Sequence, residues 1–232
     1  MRLILATNND HKRRELEGIL ADHELLLPAD LGIRFSHDET GKTFHDNALG
    51  KAGALFRMVT DLDGAAVRGA GAVRGAAAGG AAAAGIIADD SGLSVAALGG
   101  RPGVYSARYG SEPGGPDLSD SERNALLLAE LEGITDRRAH YTCSMALLLE
   151  PDRYYICQET WHGEIALAPS DGRHGFGYDP IFTLPEEGLT VAEIAPERKN
   201  RISHRGKAAR DLSSILAALE AEGRLDAGGG SA

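Results

Sequence analysis

An α/β fold is the class the sequence predicts, on three observations. Leu3-Ile4-Leu5-Ala6 is a short, continuous apolar run of the kind a buried strand shows, and it breaks through the turn-rich Thr7-Asn8-Asn9-Asp10 into Lys12, Leu16, Ile19 and Leu20 at helical spacing. A second apolar run, Ile86-Ile87-Ala88, ends in the paired carboxylates Asp89-Asp90. The remaining apolar stretches carry a 3.6-residue period with capping signals or read as a hairpin. At 232 residues the chain suffices for one large domain or two closely packed lobes, with a core that needs no staples.

The elements follow in order. After the opening strand, polar loop and helix, a second helix is expected from Phe44 to Leu62. Its apolar positions Phe44, Ala48, Ala52, Leu55, Phe56, Val59 and Leu62 keep the helical period, and Thr43 with Asp46 resembles a capping box. Gly64 to Gly85 is foreign to this pattern: it holds only Gly, Ala, two Val and two Arg, and repeats itself at Ala66–Gly71 and Ala72–Ala77. Two copies do not make a solenoid, so a floppy surface insertion is expected. The strand resumes at Ile86 and is expected to end at the two carboxylates. Ser119 and Glu122 open a third helix that runs through Leu131. Tyr141 to Leu149 and Arg153 to Trp161 read as two strands joined by Glu150-Pro151-Asp152. The last helix carries Ala208, Leu212, Ile215, Leu216 and Leu219, within a domain of residues 1–222, and residues 223–232 are expected to be a disordered tail.

Composition narrows the function. The 34 acidic against 24 basic side chains leave a net charge of −10, which argues against a general binder of nucleic acid polymers. Cys143 and Cys157 cannot form a zinc site alone and are expected as reduced, half-buried thiols. The N-terminal apolar run is too short for a signal peptide, and the Ala/Gly stretch is too short and too weakly apolar to span a bilayer, so a cytoplasmic protein without membrane contact is expected. Three tempting motifs fail. Gly41-Lys42-Thr43 has Ser36 where a P-loop needs glycine, and Asp38 and Glu39 would repel phosphate; Gly69-Ala70-Gly71 follows no strand; and no Gly-x-Ser-x-Gly elbow occurs.

Four polar clusters survive. Asp89-Asp90-Ser91-Gly92 closes a buried strand, with alternation turning the two carboxylates opposite ways. Thr7-Asn8-Asn9-Asp10-His11-Lys12, between strand end and helix start, offers backbone N–H groups and a lysine to an anion. His37-Asp38-Glu39 precedes the second helix, which places Lys51 on its apolar side, where a lysine either snorkels or reaches into a cleft. In the C-terminal part stand Gly175-Phe176-Gly177-Tyr178-Asp179-Pro180, Lys199 and Ser203-His204-Arg205. There, aromatics between glycines can stack on a flat base, and two cations follow a helix N-cap against the helix dipole.

Taken together, Thr7-x-Asn9-x-x-Lys12-x-x-Glu15, Phe44…Asn47-Ala48…Lys51-Ala52, Ala88-Asp89-Asp90-Ser91-Gly92-Leu93, Leu98-Gly99-Gly100…Pro102 to Tyr109, Phe176-Gly177-Tyr178-Asp179-Pro180 and Ser203-His204-Arg205 resemble the inosine triphosphate pyrophosphatase family, the dITP/XTP "house-cleaning" enzymes. The motifs run in family order from residue 7 to about 206. The resemblance implies two lobes around a long mixed β-sheet with an active-site cleft between them, a homodimer, and hydrolysis of dITP, ITP or XTP to monophosphate and pyrophosphate. Asp46 stands where the family usually has glutamate, and the Ala/Gly segment is an insertion relative to related chains.

By that resemblance Asp90 is the base that acts on the attacking water, and Asp38 and Asp90 hold Mg²⁺, with Glu39 the alternative to Asp38. Lys12, Lys51 and the N–H groups of the loop Thr7-Asn8-Asn9-Asp10-His11-Lys12 clamp the phosphates, and Ser91 is a further substrate-binding residue. Phe176 or Tyr178 supplies the stacking surface, Lys199 lies near base or ribose, Gly177 and Asp179 are further substrate-binding residues, and donors of His204, Arg205 or nearby backbone are aimed at the 6-keto oxygen.

Overall fold

The computed structural model describes residues 1–64, 85–112 and 114–223. The chain forms β1 (Arg2–Leu5), α1 (Asp10–Ile19), β2 (Glu24–Leu26), α2 (Phe44–Gly64), β3 (Gly85–Val95), α3 (Asp120–Glu130), β4 (Arg138–Glu150), β5 (Arg153–Ile165), β6 (Phe182–Leu184), β7 (Leu189–Thr190), α4 (Pro196–Ile202) and α5 (His204–Ala221), with short 3₁₀ turns between. One seven-stranded sheet has the order β2-β1-β3-β4-β5-β6-β7. β1 pairs parallel with β2 and with β3, whereas β6 pairs antiparallel with β5 and β7, so the sheet is mixed and the expected α/β class is borne out.

Two compact units divide the described chain: residues 1–90, 144–158 and 207–223, and residues 91–143 and 159–206. In the first unit, Ile4, Ala6, Ile86 and Ala88 of the parallel strands pack with Ala48, Ala52, Leu55 and Val59 of α2. A parallel strand covered on both faces is a continuous apolar run rather than an alternating one, which is why Leu3–Ala6 and Ile86–Ala88 read so clearly. In the second unit, Leu93, Val95, Leu127, Leu131, Tyr141, Trp161, Tyr178, Ile181 and Phe182 share a core.

The local signals held. Asn9 caps α1 by accepting from His11 N and Lys12 N, and Ser119 and Glu122 form the reciprocal capping box of α3. Thr43 Oγ1 accepts from Asp46 N at 3.0 Å, the helix-cap role that the failed P-loop left for it. Ser203 Oγ accepts from Gly206 N at 3.1 Å at the start of α5.

Two expectations are corrected. β3 does not end at the two carboxylates. It begins at Gly85, paired with Leu3, and carries the two carboxylates in its middle through to Val95. Leu93 and Val95, fully buried in the second core, hold the chain extended, and cationic partners make the charges tolerable within the strand. The two cysteines are free but buried rather than half-buried. β2, β6, β7 and α4 carry no sequence signal, because each is only two to seven residues long and shows no full period. The floppy-insertion expectation falls on residues 65–84, and the tail expectation on 224–232, both outside the described residues. Among the described residues no helix is long and apolar enough to cross a membrane.

Candidate active site

In the first unit the functional side chains gather where β1 stops and β3 continues. Leu5 is level with Ile87, so Asp89 and Asp90 emerge past the end of β1, beside the loop that follows it. Strand alternation separates the two carboxylates, as expected, and gives them different partners. Asp89, with no exposed side-chain surface, takes Lys12 Nζ on its Oδ2 at 3.0 Å. Its backbone carbonyl accepts from both Lys12 Nζ (3.4 Å) and Lys51 Nζ (3.2 Å). Two ammonium groups from two helices therefore meet at one strand residue.

Lys51 lies on the apolar face of α2, yet its head turns inward rather than snorkelling out, because Glu39 Oε1 receives it at 2.6 Å. Burial works against that charge, but Glu39, Asp89 and Asp90 outweigh it and hold Lys51 above its ordinary pKa. Asp90 is buried, and its Oδ2 accepts from Asn47 Nδ2 at 3.0 Å. Burial first, then the Glu39 charge, push its pKa up, against the opposing pull of Lys12, Lys51 and the Asn47 hydrogen bond.

Asn47 is a further site residue, beyond those given a role from the sequence motifs. It is buried, its Oδ1 accepts from Gly41 N at 2.7 Å, and its Nδ2 serves Asp90. It thereby ties the segment carrying Glu39 to the strand carrying Asp90. The available signal was a polar residue next to Ala48 on the buried side of a helix.

The loop after β1 is differently disposed from its reading as an anion cradle. Thr7 N is bonded to Leu5 O, Asn9 N to Thr7 Oγ1, and His11 N and Lys12 N to Asn9 Oδ1. Asn8 Nδ2 holds Phe35 O at 2.8 Å, and Asp10 is exposed in the first turn of α1. With four of its amides engaged inside the loop, the cations available to an anion here are the ammonium groups of Lys12 and Lys51. Of the two acids weighed for the second metal position, Asp38 is exposed, whereas Glu39 reaches Lys51 and acts on Asp90.

The second unit gathers the C-terminal cluster. Asp179 is its organiser: buried, it accepts Phe176 N (2.8 Å) and Lys199 Nζ (2.7 Å) on Oδ2 and the Tyr141 hydroxyl (3.3 Å) on Oδ1. Burial, then the Asp179 charge, keep the Tyr141 phenol far above its usual pKa, so it stays a donor. The Phe176 ring lies 4.9 Å from Lys199 Nζ and 5.9 Å from the Arg205 guanidinium carbon. Tyr178, the other aromatic considered for stacking, is spent in the core, with its hydroxyl on Ser106 O at 2.9 Å. The His204 ring stacks on Tyr141 at 4.7 Å and 6°, and Arg205 Nη2 donates to Ser91 Oγ at 2.7 Å. His204 and Arg205 are both buried in the first turn of α5.

Among the described residues, no three His, Cys, Asp or Glu side chains are grouped to hold a metal. The two carboxylates of Glu39 and Asp90 are a hard-oxygen pair. Such a pair fits a divalent cation of the magnesium type, which takes its remaining ligands from water and phosphate.

Fold and site together define a mixed-sheet α/β protein with a buried acid beside two lysines in one unit and an aromatic–cation cluster in the other. Comparison with known proteins narrows this: the sequence model of the Ham1 family matches residues 3–215, and the chain belongs to that family. A dITP/XTP pyrophosphatase of Treponema denticola is 42% identical over 216 residues, covering 93% of this chain and 98% of the relative. That of Bordetella pertussis is 44% identical over 229 residues, covering 97% and 94%. A HAM1 protein structure from Coxiella burnetii matches with a TM-score of 0.74 and 35% identity, covering 94% of this chain and 99% of the other.

Proposed function

We propose that the chain hydrolyses hypoxanthine and xanthine nucleoside triphosphates (dITP, ITP and XTP) at the α–β phosphoanhydride bond, releasing the monophosphate and pyrophosphate. The observation that carries this reading is Asp90: a buried acid, held by Asn47, that feels the charges of Glu39, Lys12 and Lys51. The names of the curated relatives supply the substrate class.

The substrate brings about four negative charges to a protein of net charge −10, so local cations must overturn the global field. Lys12 and Lys51 do this. Each is already fixed on Asp89, so little side-chain freedom is lost when a phosphate arrives. Glu39 and Asp90 would hold Mg²⁺, which would offset charge on the phosphates and on the leaving pyrophosphate. Asp90 takes the proton of the attacking water on a carboxylate oxygen.

In the base-facing set Phe176 supplies the stacking surface. Donors of His204, Arg205 or Lys199 meet the 6-keto oxygen, where adenine's 6-amino group would leave them unpaired. We further read residues 1–222 as one two-lobed domain, active as a cytoplasmic homodimer.

The test is pyrophosphate release from ITP, XTP, GTP, ATP and dTTP with Mg²⁺. Release from ITP and XTP far above ATP, abolished by a chelator and restored by Mg²⁺, is expected. A preference for dTTP points to a pyrimidine-directed enzyme, and binding without turnover points to a nucleotide sensor; either result overturns the reading.

A further inference from the structure

The loop that bears Phe176 has glycine on both sides, and both glycines adopt left-handed backbone, with φ of +79° at Gly175 and +62° at Gly177. Such a loop keeps a ring in place only if both shoulders are tied down, since glycine backbone is costly to order. The N-terminal shoulder is tied by Asp179, which accepts Phe176 N.

The C-terminal shoulder is tied by α3. Gly177 N donates to Asp120 Oδ2 at 2.6 Å, and Gly177 O accepts from Asn124 Nδ2 at 3.0 Å. Asp120 and Asn124 stand four residues apart, on one face of the helix. A single glycine thus has both backbone polar groups fastened to side chains of consecutive helical turns. The helix itself is firmly set: its N-terminus is closed by the Ser119–Glu122 box, Leu127 is fully buried, and Arg123 pairs with Asp120 while also donating to Leu118 O.

We infer that Asp120 and Asn124 are positioning residues for purine recognition, holding Phe176 at its stacking angle through the backbone of Gly177. This rests on the reading that Phe176 carries the base. Neither residue approaches the carboxylates of the first unit's cluster in sequence or by any hydrogen bond among the described residues. The clamp therefore acts on binding of the base end and leaves the chemical step alone.

The experiment uses the full chain with Asp120→Ala, Asp120→Asn, Asn124→Leu and Phe176→Ala. Two readouts are taken: steady-state kinetics on ITP, and amide hydrogen exchange at Gly177 by NMR. Asp120→Ala and Asn124→Leu should raise KM for ITP about tenfold, the scale of one lost hydrogen bond, with kcat within about threefold. Asp120→Ala should also speed exchange of the Gly177 amide at least tenfold, because the carboxylate that accepts it is removed. Asp120→Asn keeps an acceptor oxygen and should restore both values toward wild type. Asp120 is an exposed residue, so its variants fold even if Asn124→Leu does not. A KM raised in Phe176→Ala but unchanged in Asp120→Ala and Asn124→Leu overturns the clamp alone, as does unaltered exchange at Gly177. An unchanged KM in Phe176→Ala overturns the base reading and the clamp's role with it, whatever the exchange shows.

Discussion

Replacing Asn47 with leucine removes one side chain that serves two segments at once. The substitution is nearly isosteric, so packing against α2's neighbours is preserved and the loss is polar. One hydrogen bond removed is charge-assisted, Asn47 Nδ2 to Asp90 Oδ2 at 3.0 Å in a buried setting; the other is neutral, Gly41 N to Asn47 Oδ1 at 2.7 Å. Bonds to a charged group contribute about 1.5–3 kcal/mol and neutral ones about 0.5–1.5 kcal/mol, so a loss of roughly 2–4 kcal/mol is expected. For a chain of this length that is a drop in Tm of roughly 5–12 °C, readable by calorimetry.

The kinetic effect of that change is larger than its effect on binding. Asp90 loses the donor that sets its carboxylate plane, and the segment with Glu39 loses its tie to the strand. A displaced base of this kind costs on the order of 10–100-fold in kcat. KM should move less than about threefold, because Lys12 and Lys51 keep their places on Asp89. Asn47→Asp keeps the shape but turns the donor into another carboxylate facing Asp90, so it should lose at least as much activity. A leucine variant with kcat within threefold of wild type and an unshifted Tm would refute the role given to Asn47.

Asp90→Asn should lower kcat by 10² or more while substrate still binds, since the amide lacks both basicity and metal affinity; stopped-flow binding of a non-hydrolysable ITP analogue separates the two. Lys51→Ala should raise KM and lower kcat together, because it removes a phosphate contact and leaves Glu39 without its cation. Lys51 is held above its ordinary pKa of 10.5, so its charge persists through the alkaline range, and activity measured from pH 7 to 9 should not fall through loss of this cation. His140 has its pKa lowered, by burial first and then by the neighbouring His162, whose ring lies 5.6 Å away. The folded state therefore prefers neutral His140: its contribution to stability is complete above 6.5 and declines as pH falls through the window below 6.5. His140→Gln should flatten the pH dependence of the urea midpoint between pH 7 and 5, and an unchanged slope would contradict this.

Much of this protein could be read from its sequence because the signals are local. The Ser119–Glu122 box, the Thr43 and Ser203 caps, the Glu150-Pro151-Asp152 turn and the unbroken apolar runs each act within four residues or through one repeating period, and each stands where it was read. The residue types of the two candidate clusters were likewise legible, because buried charge and glycine-flanked aromatics are costly patterns that rarely persist without use.

What only the tertiary structure decided depends on partners far along the chain. Whether β3 stopped at its carboxylates turned on Lys12, 77 residues before Asp89, and on the core that takes Leu93 and Val95. Which acid stands beside Asp90 turned on Lys51 drawing Glu39 inward and leaving Asp38 exposed. Which aromatic faces the Lys199 and Arg205 cations turned on Ser106 O claiming the Tyr178 hydroxyl, 72 residues away, leaving Phe176 beside them. The roles of Asn47 and Asn124 likewise arise from contacts 43 and 53 residues apart. Sequence periodicity reports which way a residue faces; which charge or hydroxyl meets it there is set by the closure of the fold, and no local pattern encodes that.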